Sequence, residues 1–438
     1  MAIIAERWNE MSVLDVVLQL LRTPAILIGV VSLVGLILQR KTLTQVVLGT
    51  VKTILGFLIL NIGIGAAVGG LTNFDKLFTA AFGVSGVYFD DNIAVGAVMG
   101  KIGQQVGLVM VLGFLANILF ARITKAKWIY LTGHKVWHMA GGIALVLLTL
   151  GMSGVPLVIL GALILGLYMA VQPMLLQPFT REVTGTDDYG IAHTMGSVYW
   201  VSAIVGKLVG NKERSIEEVS LPSNLEAFRD IAVAFSLIMF VMFAVPSIFA
   251  SGAAAELSGS QHPIVWIILQ SLTAAGGILV ILQGVRMFIG ELIPAFRGFA
   301  EKLVPGAAPA LDCPVVFPFS PTGVVVGLVT GFLGWLVGMA VCRVLGLAVV
   351  PVPSMIAIMF GCTAGAVYGN ATGGATGAIA AGFVTGILWP IAGALTYPFI
   401  PWADYGVTGA ALMTPDIYIV ITILKVVGSV IRAVLGLG

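Results

Sequence analysis

The sequence predicts an all-α, polytopic membrane protein, and three observations predict it. Mean hydropathy is +1.07, with 59% of residues hydrophobic and only 10% charged, which excludes an ordinary soluble enzyme. Apolar runs of roughly 20 residues or more recur along the whole length, each long enough to cross the hydrocarbon core of a bilayer. Glycine is abundant at 55 residues, as in membrane helices that pack closely. The net charge of +2 is too small to argue for nucleic acid. Cys313, Cys342 and Cys362 have no paired spacing, so neither a disulfide framework nor a zinc ribbon is implied.

The first span is expected near Leu14–Leu38, after a start that carries Glu6, Arg7 and Glu10 and lacks a cleavable signal pattern. Gln39-Arg-Lys-Thr42 follows as a basic knot. A second span covers about Leu43–Leu71, a polar stretch reaches Tyr88-Phe-Asp-Asp-Asn92, and a third span near Ile93–Ile123 ends in Thr124-Lys-Ala-Lys-Trp128. Positive charge therefore follows spans one and three, whereas only Lys76 follows span two. The positive-inside rule then places the N-terminus outside the cytoplasm. Ile129–Gly151 is apolar but holds His134, Lys135 and His138, and reads as a spanning helix or a re-entrant hairpin. Val155–Met174 is a clean span. Leu175–Gly196 is polar and proline-bearing, with Arg181, Glu182, Asp187 and Asp188. Ser197–Gly210 is too short to span and reads as a half-membrane helix. Asn211–Asp230 is the most charged region and is expected in the cytoplasm. Further spans are expected near Ile231–Ala250, Pro263–Leu292, Gly323–Leu345, Val350–Tyr368, Ala375–Phe399 and Ile417–Leu437, for a total of about ten or eleven. No polar stretch at either end is expected to form a soluble domain, so any cytosolic chemistry belongs to separate proteins.

The two halves, residues 14–250 with a linker helix and residues 263–437, look alike in pattern within a single transporter unit spanning residues 1–438. Each has long apolar helices and then an Asp-bearing break: Asp90-Asp91-Asn92 in the first, and Leu311-Asp312-Cys313-Pro314 among Pro309, Pro314, Pro318 and Pro321 in the second. Such interrupted segments at corresponding places point to a transporter site at the interface of inverted repeats.

Three of only four histidines fall in Leu131-Thr-Gly-His-Lys-Val-Trp-His-Met139 and Ile191-Ala-His-Thr-Met195. Polar side chains kept at membrane depth are functional candidates by default. His134 and His138 are four apart, on one helix face. A metal site is disfavoured, because Lys135 stands where the glutamate of a helical zinc-protease motif would be and no further ligand has the right spacing. Recognition of a polyhydroxylated or acidic solute fits better, since neutral imidazole both donates and accepts. The bland alternative is histidine satisfied by carbonyls at helix breaks. Asp312 would bind hydroxyls, accept a proton or cap a half-helix, and these roles can coexist. Arg286, Glu291 and Arg297 read as interfacial anchors and a local ion network. Gly361, Gly365, Gly369, Gly373 and Gly377 recur every fourth residue and read as one smooth packing stripe on a helix. Cys313, next to Asp312 in an apolar stretch, reads as a small buried residue, not a phosphorylated thiol.

Lys52-Thr-Ile-Leu-Gly-Phe57, Leu131-Thr-Gly-His134, Gln283-Gly-Val-Arg-Met-Phe288, Leu303-Val-Pro-Gly306 and Leu311-Asp-Cys313 resemble the ascorbate-specific membrane subunit (component IIC) of the bacterial phosphotransferase system. The similarity is spread from about Pro24 to Asp416. The resemblance implies an inner-membrane homodimer with about eleven spans per subunit. It also implies inverted repeats, a dimerising scaffold domain, and a substrate-bearing core domain with re-entrant hairpins. It implies group translocation, in which the sugar receives a phosphoryl group from a cytosolic phosphocysteine subunit (component IIB) that is itself charged by component IIA. No cofactor is implied. By position, His134, His193 and Asp312 match family residues lining the ascorbate pocket. His138 and Thr194 stand where ascorbate-type members carry glutamine, and Trp137-His138-Met139 is similar to the galactitol-type subunits. Asp90-Asp91-Asn92 departs from the ascorbate pattern, although its leading Asp aligns. His134, His138, His193 and Thr194 are thus expected to bind ring oxygens or hydroxyls, with Asp312, Asp90 and Asp91 as acceptors and Asp312 as a candidate base. The rival from another class is an ion-coupled secondary transporter using Asp90, Asp91 or Asp312 as a proton or sodium site. A membrane scaffold without transport is a third reading. The polar breaks at Asp312 and His193 argue against it.

Overall fold

The computed structural model describes residues 24–83, 86–219, 230–302, 304–405, 407 and 409–434. It is helical almost throughout. Twelve principal helices follow in order: α1 Pro24–Leu38, α2 Leu43–Phe82, α3 Asp91–Ile123, α4 Gly133–Thr149, α5 Gly154–Thr184, α6 Gly196–Val209, α7 Ile231–Phe249, α8 Ser251–Ser258, α9 Pro263–Lys302, α10 Pro321–Val344, α11 Thr363–Thr396 and α12 Pro415–Val434. Among the described residues, six helical stretches are long and apolar enough to cross a membrane: Leu43–Ala66, Lys101–Ile123, Gly154–Thr184, Pro263–Ile281, Pro321–Val344 and Met355–Phe399. The chain is an all-α polytopic membrane protein.

Helix ends follow from local chemistry. Thr42 and Gln45 form a reciprocal capping box that starts α2, and Gly83 closes it in the left-handed region at φ 58°. Asp230 accepts from the amides of Ala232 and Val233 at the start of α7. Gly185 ends α5 at φ 74°. The polar stretch expected from Leu175 onward is therefore helical up to Thr184. Pro173 and Pro178 lie inside that helix, where neighbouring elements stabilise it despite the lost amide donors. The first expected span is described only from Pro24, and the charged linker only up to Val219 and again at Asp230. The rest of both, and residues 435–438 of the last span, lie outside the described residues.

The long helices α2 and α9 are both 40 residues and cross at glycines. A Cβ on Gly63 would strike the Gly277 carbonyl at 2.6 Å. Lys52 of α2 pairs with Glu291 of α9 at 3.3 Å. Glu291 therefore has the ion-pair role expected of it, whereas the Arg297 side chain lies outside the described residues.

The glycine stripe packs against another helix as expected, but a break divides it. Gly374 sits at φ 62°, ψ −154° and divides α11 into two arms. Gly361, Gly365, Gly369 and Gly373 precede the break, and α6 packs on the last three of them through Ser202 at Gly365 and Gly206 at Gly369 and Gly373. Only Gly377 belongs to the second arm, which folds back so that a Cβ on Gly369 would collide with the Gly377 carbonyl and one on Gly361 with the Trp389 ring.

Short parallel strands tie these helices together. β2 (Trp128–Tyr130), β4 (Ala308–Leu311) and β3 (Gly190–Ile191) form one ladder with β4 in the middle. β1 (Tyr88–Phe89) pairs with β5 (Ala410–Ala411), and Val87 bridges Pro351 on its other side.

Candidate functional site

Parallel strands all end at the same edge of their ladder. In the first ladder Tyr130 and Gly190 both register with Ala310. The three chains therefore leave that edge together, as Thr132-Gly133-His134, Ala192-His193-Thr194 and Asp312-Cys313. The outcome is one cluster. His134 Nε2 stands 3.7 Å from Asp312 Oδ2, and His193 Nε2 stands 3.7 Å from Asp312 Oδ1. The two imidazole rings are 6.5 Å apart. The His134 side chain is 49% exposed, that of Asp312 17% and that of His193 2%, so His134 is the outermost of the three and His193 the most deeply buried.

Asp312 also accepts the Cys313 N–H at 2.7 Å and so begins the short 3₁₀ segment Cys313–Phe319. Capping and facing the histidines coexist in one carboxylate. Cys313 is buried, with Sγ 3.6 Å from the Phe360 carbonyl.

His193 Nδ1 accepts the Met195 N–H at 3.1 Å. A neutral imidazole with an accepting Nδ1 carries its hydrogen on Nε2, the atom that faces Asp312. The ligand atoms of His134, His193 and Asp312 lie within 4.8 Å of one another, a spacing that would suit a metal. A metal needs a lone pair on Nε2, however, and this tautomer offers a hydrogen there. The donor set suits a hydroxyl, which accepts from His193 and donates to Asp312.

The second ladder delivers Asp90 and Asp91. Asp90 Oδ1 accepts the Ile93 N–H at 3.0 Å as a helix cap on α3. Asp91 Oδ1 accepts the Met413 N–H at 2.7 Å, and its Oδ2 lies 3.6 Å from His138 Nδ1. His138 is one helical turn from His134, with rings 5.8 Å apart. The structure thus brings His134, His193 and Asp312 into one group, sets the His138–Asp91 pair beside it, and uses Asp90 at a helix start.

Several buried polar atoms around this cluster have no hydrogen-bond partner among the described residues, including Thr132 Oγ1, Thr194 Oγ1 and Gln172 Nε2. Buried donors and acceptors are normally satisfied, so these three can each take a further polar partner. Lys135 is buried and acts electrostatically on both Asp91 and Asp312.

The depth of the site follows from α5. Tyr168, near the middle of this 31-residue helix, has its hydroxyl 3.4 Å from the His193 carbonyl. At 1.5 Å per residue, about 20 Å of helix lies on either side. From there α6 runs alongside the second half of α5, with Trp200 against Phe179 at 6.4 Å and Lys207 on Glu182 at 2.6 Å. With 14 residues, α6 covers about 21 Å, which is too short to cross the hydrocarbon core of roughly 30 Å, as its sequence led us to expect. Tyr199 of α6 stacks on Tyr368 of α11 at 5.5 Å and 2°, which locks it in place.

Sequence reasoning missed Tyr168, Gln172 and Asp416. Tyr168 and Gln172 lie within a clean apolar span. Asp416 follows Met413-Thr-Pro415, a Thr-bearing break after a short strand much like His193-Thr-Met195, and that parallel was the available signal.

A cluster of polar side chains beside the middle of a 31-residue apolar helix fits a solute permease. The chain belongs to the EIIC-GAT family, the sugar-specific permease components of the phosphotransferase system, whose model matches residues 19–416. A relative from Mycoplasma pneumoniae named as an ascorbate-specific component of that system is 28% identical over 408 residues. The match covers 80% of this chain and 61% of the relative.

Proposed function

We propose that this chain is the membrane-embedded carrier of a phosphotransferase system that takes up L-ascorbate or a closely related sugar or polyol. The observation that carries the reading is the Asp312 carboxylate held 3.7 Å from the Nε2 atoms of both His134 and His193, at the common edge of three parallel strands. The name of the Mycoplasma pneumoniae relative supports ascorbate. The His138 position, expected to be glutamine in ascorbate-type members, keeps a galactitol-type polyol in view.

In this reading His193 Nε2–H donates to a substrate oxygen, Asp312 accepts from a hydroxyl, and His134 closes the pocket at its exposed side. His138, Asp91 and Thr194 extend the pocket. Phosphoryl transfer relies mainly on positioning and charge stabilisation. The substrate hydroxyl attacks the phosphorus of a phosphocysteine on component IIB, the S–P bond breaks, and Asp312 is placed to take the hydroxyl proton. Component IIA recharges IIB. The carrier works as a homodimer in the bacterial inner membrane with its N-terminus on the periplasmic side.

The test is uptake of radiolabelled L-ascorbate and of galactitol in cells that supply the cognate soluble components, followed by analysis of the internal label. Phosphorylated ascorbate or galactitol supports the reading and names the substrate. Unmodified internal sugar that disappears on adding an uncoupler would sink it in favour of ion-coupled transport.

A further inference from the structure

Asp416, the second residue of α12, is 5% exposed. Its carboxylate takes four donors. Oδ2 accepts the Tyr168 hydroxyl at 2.8 Å and the Gly196 N–H at 3.1 Å; Oδ1 accepts the Ser197 N–H at 2.8 Å and the Ser197 hydroxyl at 2.5 Å. An ionised carboxylate offers about four lone-pair sites, so Asp416 has no acceptor capacity left for a ligand. Asp312 differs in this respect: its Oδ2 stands 3.7 Å from His134, too far for a hydrogen bond. Two aspartates therefore do different work.

What Asp416 holds is the beginning of α6. Helix starts leave amides unsatisfied and favour negative charge. Met195 at the N-cap of α6 supplies no side-chain bond, so the cap comes from 220 residues away in sequence. The residues just before that start are His193 and Thr194. The Asp416 N–H donates to the Thr194 carbonyl at 3.1 Å, Gln172 Oε1 accepts the His193 N–H at 3.4 Å, and a Cβ on Gly196 would strike Gln172. The His193–Gly196 loop is thereby framed by α5 on one side and α12 on the other.

We propose that Asp416 is a positioning residue for the site. By saturating its carboxylate on Tyr168, Gly196 and Ser197 it fixes the start of α6, and through it the direction of the His193 imidazole and the Thr194 hydroxyl. The inference rests on the reading of the His134–His193–Asp312 cluster as the sugar pocket.

The test uses the full chain purified in lipid nanodiscs and equilibrium binding of radiolabelled L-ascorbate and galactitol. Wild type, Asp416→Asn, His193→Ala and the double variant are compared at equal amounts of monodisperse protein. The amide that Asp416→Asn introduces would set a donor against donors, so Kd is expected to rise about tenfold. In the His193→Ala background the same change should add less than about twofold, because neighbours acting through one another are not additive. Wild-type affinity in Asp416→Asn, or full additivity, would overturn the proposal. An unchanged Kd in His193→Ala would instead overturn the sugar-site reading itself. If Asp416→Asn does not fold, Tyr168→Phe, which removes one of the four donors, must show the same non-additivity at smaller amplitude. If wild type binds neither sugar, hydrogen exchange in the peptide covering residues 193–198 decides. Faster exchange confined to that peptide in the variant supports the proposal, and unchanged exchange overturns it.

Discussion

A carboxylate has more lone pairs than a helix cap uses, and Asp312 shows what the remainder can do. One contact, from Cys313 at 2.7 Å, starts a 3₁₀ segment, and the other oxygen faces His134. Asparagine caps helices as well as aspartate does. Asp312→Asn therefore separates the two roles: if capping were the whole role, sugar affinity would stay at the wild-type value. The pocket reading expects Kd to rise tenfold or more, on the order of 1.4 kcal/mol, with folded protein unchanged. Equilibrium binding on the purified variant checks it. A second residue-scale expectation concerns Asp187, in the exposed turn after α5. Hydrogen bonds from Gln177 at 2.8 Å and Arg181 at 2.9 Å hold its carboxyl below the ordinary value of 3.8. A folded value below the unfolded one stabilises the protein above about pH 4, and the gain is lost as pH falls through the folded value. Asp187→Asn should thus lower the melting temperature slightly at pH 7, and the difference should shrink as the pH falls below about 4. A difference that persists in acid would count against the account. His134, His193 and Asp312 were legible because polar residues stand out in an apolar chain. Asp416 and Tyr168 were not, because each makes sense only through a partner 248 residues away.

At the scale of elements, α6 was legible as a helix too short to span, from its length and its flanking polar breaks. The α11 hairpin was legible as two spans, Val350–Tyr368 and Ala375–Phe399, and Gly365, Gly369 and Gly373 of its repeat pack against α6 as a small-residue stripe should. The repeat alone could not show that its last member, Gly377, lies beyond a turn. That turn is Gly374, at φ 62° and ψ −154°, a region that essentially only glycine occupies. A Cβ there would also meet the carbonyls of Asn211 and Arg214. Gly374→Ala is expected to cost about 1–3 kcal/mol and to appear as a lower melting temperature and a lower folded yield. Gly290 provides the contrast. It lies inside α9 with nothing within 4 Å of a Cβ, so Gly290→Ala should be neutral or stabilising by roughly 0.5–1 kcal/mol. Equal losses at both positions would mean that backbone conformation at the tip is not what matters.

Across the whole molecule, two acidic residues cap helices that lie far from them in sequence. Asp416, late in the chain, caps α6. Glu217, in the charged stretch after α6, caps α10. It accepts from the Ser320 hydroxyl at 2.7 Å, the Thr322 N–H at 3.0 Å, the Thr322 hydroxyl at 2.7 Å and the Gly323 N–H at 3.2 Å. Composition and hydropathy made the long helices and the acidic breaks between them legible. They could not predict which acid reaches which helix, since that depends on how the helices meet in space. The two caps differ in what lies beside them. Asp416 adjoins His193, whereas Glu217 adjoins Ser215 and Ser320 beside Asn370 near the hairpin tip, at the other end of α6. Glu217 is exposed, so its removal by Glu217→Ala should cost only about 1 kcal/mol. It should lower the melting temperature by a few degrees and leave sugar Kd at the wild-type value. Asp416→Asn is expected to do the reverse in emphasis, raising Kd with little loss of folded protein. If Glu217→Ala weakens sugar binding as much as Asp416→Asn does, both caps simply hold helices together, and proximity to His193 gives Asp416 no distinct role.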